Sequence, residues 1–471
     1  MTSAPKPLVA LVAALAAACG EGPAPSAEAT APAHVFLISI DTLRYDHVGF
    51  NGYEKPTTPF LDSLAERGVV FDDHYANSNC TLPSHASMLT GLLPPSHGVD
   101  ITTKVGDPLR VLSPSIVTVA ERFQEAGYAT AAFTSHAAWL NEEYGFDQGF
   151  DHFETSWRQA PETFENFLAL VDERPAERTF SFLHFFDVHS DEGQGDPRLI
   201  YEAPRELIEQ FAGPIPEGFT GRSPDGARKA STWLATLKPD KPLPDAHRDF
   251  LVGTYDAGIA WFDRRLEGFF AQLDERGLLD NALVVITSDH GEAFGEHGTY
   301  LHSGWRSDTS HVPLLIVPPA GLEVTPHRVA TRTQSTDLAP TLLELCLLDP
   351  VGETRSLTGA VLFEEPLEDS MALFQNNMLY GTDAEGDYLM IHNVKQPAFI
   401  DRTRDPMENV NLSADAAWMA QHQGRLQAAW ETWKEIVDQG KANFELIKAG
   451  ATTDAALDPE REAELKRLGY L

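Results

Sequence analysis

Cysteine is scarce in this chain: 471 residues carry only Cys19, Cys80 and Cys346. Three thiols make no disulfide framework, and no Cys-x-x-Cys spacing suggests a zinc site. Cys346, in the apolar run Leu342–Leu348, is expected to be a buried thiol. Basic residues are scarce as well, with 35 Lys plus Arg against 70 Asp plus Glu and a formal charge of −35. That balance excludes the basic face that nucleic acid requires. Long apolar runs are missing; Leu8–Ala18 is too short to span a bilayer. No tandem repeat is present. What the chain does have is a globular composition, 42% hydrophobic and 22% charged, long enough for one large domain and a smaller one.

Met1–Cys19 has the layout of a bacterial lipoprotein signal, with Lys6 before the apolar stretch and Leu15-Ala16-Ala17-Ala18-Cys19 at its end. The Leu lies one place further from Cys19 than a strict lipobox prefers, so an ordinary secretory signal or a buried helix stays open. Residues 20–33, rich in Pro, Ala, Ser and Glu, are expected to be a flexible tether. The expected location is the periplasm or cell surface, with lipid at Cys19 as the one membrane contact.

Val35–Ile40, Tyr128–Phe133, Thr179–Phe186, Leu283–Ile286 and Leu314–Val317 are apolar runs of the kind buried on both faces of a parallel sheet. Thr58–Gly68, Ile116–Gly127 and Tyr255–Arg276 have helical periodicity between them. The alternation predicts an α/β fold, a doubly wound and mostly parallel sheet with helices on both faces, over residues 34–352. Residues 190–241 look like an inserted lid or rim, with helical pieces near Arg205–Phe211 and Ala227–Leu237. From 353 to 471 a small α+β subdomain is expected, with short strands at Ala372–Phe374, Tyr388–His392 and Pro397–Ile400 and a helix over Asp415–Asp438.

Polar clusters follow the carboxyl ends of the predicted strands, where open α/β sheets place their ligands. Asp41, Asp289 and His290 are hard or borderline metal ligands in such positions. Brought together they would repel unless a cation sat between them. Asn79–Gly91 is predicted to be a turn leading into a short helix, with Pro83 first and Gly91 as a left-handed end. A hydroxyl at its start, Thr81, would face free N–H groups and could be a fourth ligand; bound to a cation, its pKa falls. Taken alone, Asp-His-Gly-Glu could equally be a loop with a hydrogen-bonded histidine.

From about Val35 to the end the chain resembles the sulfatases of the alkaline phosphatase superfamily. The resemblance rests on Ser39-Ile40-Asp41-Thr42-Leu43-Arg44, on Thr81–Gly91, on Asp187-Val188-His189 and on Thr287–Gly298 with its Ser-Asp-His-Gly-Glu and Gly-Glu-His-Gly. Ser335–Leu345, Asp401–Leu412 and the closing Leu-Gly-Tyr-Leu add to it. The chain departs from the family at its nucleophile. Sulfatases carry Cys or Ser in Cys/Ser-x-Pro-x-Arg and convert it to formylglycine. Here Pro83 places Thr81 at the nucleophile and His85 at the Arg, while Cys80 falls one residue early. Thr cannot give an aldehyde. It is the nucleophile of the superfamily's phosphodiesterases and phospho-group transferases. Thr42 stands where many sulfatases have a second ligating Asp.

The resemblance therefore implies an ester hydrolase, or a phospho-group transferase, cleaving phosphate diester or phosphonate bonds through a covalent Thr81 ester. It implies one divalent ion, Mn, Zn or Ca, on Asp41, Thr81, Asp289 and His290, with a second ion possible. His189 and His302 would contact the transferred group or protonate the leaving oxygen. Arg44, His85 and His297 would meet substrate charge. The substrate would be an anionic ester of a small molecule, glycan or lipid. A sulfatase working without formylglycine and a catalytically silent binder of anionic ligands are the alternatives.

Overall fold

The computed structural model describes residues 31–455 apart from 101–108, 136–137, 191–195, 230–232, 238, 305, 323, 368–370, 376, 393–396 and 449–453. Cys19, the tether up to residue 30, parts of the insertion and Leu457–Leu471 lie outside the described residues.

Eight strands form the main sheet: β1 (His34–Ile40), β2 (Val69–Phe71), β3 (Ala129–Thr134), β4 (His152–Thr155), β5 (Thr179–Phe185), β6 (Ala282–Thr287), β7 (Leu314–Val317) and β8 (His327–Val329). Their order is β8-β2-β7-β6-β1-β5-β3-β4. All run in one direction except β7, which pairs antiparallel with both β2 and β6. The expected mostly parallel sheet is thus found, with this one strand reversed. Its four-residue apolar run has no period that encodes direction.

The central strand explains the layering. Val35 and Leu37 enter one core; Phe36, Ile38 and Ile40 enter the other. Such two-sided burial requires a continuous apolar run. On the first face pack α2 (Thr81–Thr90) and α7 (Leu338–Leu345), through Leu82, Ala86, Leu89, Leu342 and Leu343. On the second pack α1 (Pro59–Ala65), α4 (Ala160–Glu173) and α6 (Asp245–Glu275), through Leu61, Phe164, Phe167, Leu266 and Phe269. Burying each such side chain contributes about 1.5–3 kcal/mol before chain entropy is counted. Between these helices are α3 (Val119–Glu125), closed by a Thr118–Glu121 capping box, and α5 (Arg205–Phe211) in the insertion.

Helix boundaries moved where polar residues hide the period. Helix α6 begins at Asp245, ten residues before its expected start, because Phe250 and Leu251 are buried while Gly253 and Gly258 dilute the pattern. Helix α2 begins at Thr81, which makes Pro83 its third residue; that N–H is still one of the unpaired first four, so proline costs nothing there. Gly91 ends α2 at φ 68°, and a Cβ there would come 2.9 Å from Gly352 Cα.

Beyond residue 353 a four-stranded antiparallel meander is formed by β9 (Ala372–Phe374), β10 (Met378–Asp383), β11 (Gly386–Ile391) and β12 (Ala398–Asp401). Strict alternation sends Phe374, Tyr380, Leu389 and Ile400 onto Tyr75 and Val312 of the large domain. The other face, Leu379, Tyr388 and Phe399, covers Ala429 and Val437 of α8 (Gln423–Lys448). The expected helix over Asp415–Asp438 is broken at His422 into a short piece and α8.

Candidate active site

Asp41 directly follows β1, and Asp289 lies two residues past β6. The two strands are parallel neighbours, with Ser39 opposite Thr287, so both carboxylates emerge at the same rim. Thr42 between them is backbone-strained, a β-branched residue at φ 58°. Its N–H reaches Asp289 Oδ1 at 3.3 Å, and its carbonyl accepts from Tyr255 Oη at 2.6 Å. These contacts hold a turn that aims Asp41 into the site.

Asp41, Thr81, Asp289 and His290 come together and all are buried. Thr81 Oγ1 donates to Asp41 Oδ2 at 3.3 Å. His290 Nε2 is 3.5 Å from Asp289 Oδ2 and 3.9 Å from Asp41 Oδ1. Those three atoms have no hydrogen-bond partner among the described residues. His290 Nδ1 lies 3.0 Å from its neighbour's carbonyl, Gly291 O, so it carries the proton and leaves the Nε2 lone pair facing the carboxylates. Unspent buried donors of this kind call for a cation. Donors about 2.0–2.2 Å from a tetrahedral ion lie about 3.3–3.6 Å apart. The 3.3 and 3.5 Å separations found here match that spacing, and the 3.9 Å separation lies just beyond it.

Electrostatics without an ion show the same need. Burial, then the Asp289 charge, pushes the Asp41 carboxyl well above its ordinary range. Burial also opposes ionisation of Asp289, but His290, His85, His184 and the Thr42 N–H outweigh it and hold that carboxyl low. One carboxylate is favoured and the other is strained until positive charge arrives.

His85 is drawn to the same carboxylates in a different way. Its Nδ1 is 3.8 Å from Asp289 Oδ2, but also 2.8 Å from Thr81 O, which can only accept. Nδ1 therefore carries the proton, and Nε2 takes the Ser39 hydroxyl at 2.9 Å. His184, opposite Ser39 on β5, brings Nε2 to 3.3 Å from Asp41 Oδ2. Burial, with His184 beside it, lowers the His85 pKa to about 3; burial lowers that of His184 to about 4. His85 is thus a brace held between Ser39 and Thr81, whereas neither ring nitrogen of His184 has a hydrogen bond among the described residues.

The rings of His290, His302 and His189 follow one another, with centroids 5.4 and 5.2 Å apart, and His189 stacks on Phe186 at 4.0 Å. Of the two histidines expected to face the leaving group, His302 thus borders the four-residue cluster and His189 adjoins His302. Arg44, expected to meet substrate charge, spends four of its five N–H groups on Asp46 (2.8 and 2.7 Å), Glu296 (2.6 Å) and Glu292 O (2.8 Å). His297 is half-buried, and burial with nearby Arg306 lowers its pKa to about 4. Asp187 accepts from Ala160 N at the start of α4 and pairs with Arg265 at 2.9 Å.

Cys80 precedes α2 and takes no part in the cluster. Burial, then the charges of Asp100, Asp289 and Asp41, pushes its thiol up, away from the reactive thiolate. The sequence reading passed over His184, Ser39 and Tyr255. A histidine inside an apolar strand was the available signal for the first.

A family model described as Sulfatase matches residues 33–346. The chain belongs to the sulfatase family. An arylsulfatase of Clostridium perfringens is 23% identical over 451 residues, 80% of this chain and 90% of its own. A multifunctional alkaline phosphatase superfamily protein, PehA of Trinickia caryophylli, is 24% identical over 89% of this chain and 99% of its own. The solved phosphonate monoester hydrolase of Agrobacterium radiobacter superimposes with a TM-score of 0.65 at 19% identity, covering 87% of this chain and 96% of that one. The sulfatase fold and an ester-hydrolase activity follow, and enzymes of this family use a divalent metal.

Proposed function

We propose that this sulfatase-family hydrolase cleaves phosphate diesters or phosphonate monoesters with Thr81 as nucleophile. The observation that carries the reading is the Thr81 hydroxyl. It opens the buried helix α2 and lies 3.3 Å from Asp41 Oδ2, beside the unspent oxygens and nitrogen of Asp41, Asp289 and His290. A divalent ion held by Asp41, Asp289, His290 and Thr81 would supply the charge that lowers the hydroxyl's pKa and offsets the anion's repulsion. The Thr81 oxygen forms a bond to phosphorus as the alcohol oxygen leaves, and water later releases the phospho group from Thr81. The free N–H groups at the start of α2 face the anion. His189 and His302 border the position of the departing oxygen. A Thr cannot become formylglycine, and the Cys80 thiol sits outside the cluster; both favour phosphorus over sulfur. The phosphonate monoester hydrolase among similar structures is consistent with this preference.

Sulfate esters are the second reading, favoured by relatives named as sulfatases. A silent binder would have little use for so many unspent ligand atoms. The test is a rate comparison on an aryl phosphodiester, an aryl phosphonate and an aryl sulfate, with Mn, Zn and Ca each supplied. Thr81→Ala is expected to lose at least about a thousandfold on the phosphorus esters, while Cys80→Ser keeps wild-type rates. Equal rates for wild type and Thr81→Ala would refute the nucleophile. Loss of activity in Cys80→Ser would point back to a modified cysteine.

A further inference from the structure

Glu292 is a buried carboxylate outside the four-residue cluster. Its backbone carbonyl is fixed by Arg44 Nη1 at 2.8 Å. Its Oε1 accepts from Tyr201 Oη at 2.9 Å. Its Oε2 has no hydrogen bond among the described residues and faces His302 Nδ1 at 3.8 Å. Tyr201 belongs to the insertion. It is fully buried, with its ring against Tyr255 at 5.2 Å and Phe294 at 6.3 Å. A carboxylate held this firmly, with one oxygen 3.8 Å from an imidazole nitrogen, favours the proton on that nitrogen of the ring. The His302 ring in turn lies between those of His290 and His189.

We propose that Glu292 is a positioning residue for His302 and that Tyr201 fixes Glu292. The insertion then sets the geometry of the leaving-group acid. The inference rests on the reading of His302 as the group that gives a proton to the departing oxygen. As the Thr81 oxygen–phosphorus bond forms, the bond from phosphorus to the alcohol oxygen breaks, and its electron pair stays on that oxygen. The oxygen takes the proton from His302 Nε2, while Nδ1–H remains directed at Glu292. Without Glu292 the ring loses the carboxylate 3.8 Å from its Nδ1, and the form that directs Nε2–H at the departing oxygen is no longer favoured.

Protonation matters most for poor leaving groups, so a leaving-group series isolates this role from general damage. Phenyl and 4-nitrophenyl esters of the same phosphonate are compared on full-length protein, with bound metal measured for every variant. His302→Ala is expected to slow the phenyl ester about 100-fold more than the nitrophenyl ester. Glu292→Gln should show about a tenfold difference and Tyr201→Phe about threefold, both falling on kcat with KM and metal content unchanged. Should His302→Ala slow both esters equally, the acid reading of His302 fails and this inference with it. Should His302→Ala be selective while Glu292→Gln slows both equally, or loses metal, Glu292 does not position His302. If Glu292→Gln fails to fold, Tyr201→Phe decides alone, and a leaving-group-independent effect there overturns the proposal.

Discussion

His290 and His85 meet the same oxygen. Asp289 Oδ2 is 3.5 Å from His290 Nε2 and 3.8 Å from His85 Nδ1. By distance alone, either ring could share a cation with that carboxylate, and His85, His184 and Asp289 even form a compact triad of their own. What separates them is the hydrogen bond each makes elsewhere. His290 spends its Nδ1 proton on Gly291 O and turns a lone pair to the carboxylates. His85 turns a proton to them, because Thr81 O lies on the same nitrogen, and its other nitrogen is taken by Ser39. One ring keeps a lone pair that a cation could use, and the other keeps none. Within the second triad His85 therefore has no lone pair left for a cation: proximity nominates ligands, and tautomers choose among them.

The contrast is broken most severely by removing each ring in turn and measuring bound metal and rate together. His290→Ala is expected to lose the ion and at least about a thousandfold in activity. His85→Gln is expected to keep one ion per chain while activity falls about tenfold, since the carboxylates lose only a brace. If His85→Gln lost the ion and His290→Ala kept it, the tautomer assignment would be reversed.

The same distinction marks what the sequence could reveal. Strands β1, β3, β5 and β6 are continuous apolar runs, and the polar residues past β1 and β6 stood out by position, which nominated Asp41, Asp289 and His290; Thr81 was nominated by its place at a helix start and its spacing to Pro83. Burial on both faces makes such strands unmistakable. Direction is not encoded in that pattern, and β7 came out antiparallel. Strand β10 was missed between two strands that were seen, because Gly381 and Thr382 interrupt its apolar character. Hydrogen-bond partners are encoded nowhere in local sequence. That Arg44 would be consumed by Asp46 and Glu296, that Ser39 would reach His85 and that Tyr201 would reach Glu292 are facts of chain crossing. The insertion's contribution was hidden for the same reason.

Accounting for donors also separates Arg44 from an arginine that binds substrate. Its guanidinium is nearly fully buried and bridges Asp46, Glu296 and the Glu292 carbonyl. A lysine keeps the charge but cannot fork to three partners. Arg44→Lys is expected to lower unfolding free energy by about 2–3 kcal/mol in urea while KM for the phosphonate ester stays constant. A rise in KM with unchanged stability would return Arg44 to the substrate.

The smallest effect tests whether braces are recognisable away from the carboxylates. His97 closes the short helix after α2, fully buried, with Nδ1 accepting from Val99 N at 3.0 Å and Nε2 directed at Ser87 Oγ at 3.0 Å. Burial lowers its pKa from the ordinary 6.5 to about 3. Above pH 6.5 neither the folded nor the unfolded chain protonates it, and its contribution to stability is fully present. Between 6.5 and about 3 the unfolded chain binds a proton that the folded chain refuses, so stability falls as pH falls, by about 1.4 kcal/mol per pH unit. His97→Asn keeps an acceptor for Val99 N and removes the titration. Urea unfolding between pH 5.5 and 4 should then show a slope shallower than wild type by about that amount. Equal slopes would mean that His97 is protonated in the folded chain, and that a ring with both nitrogens occupied is not thereby held neutral. The reading of His85 as a neutral brace would weaken with it, because the two rings are assigned on the same grounds.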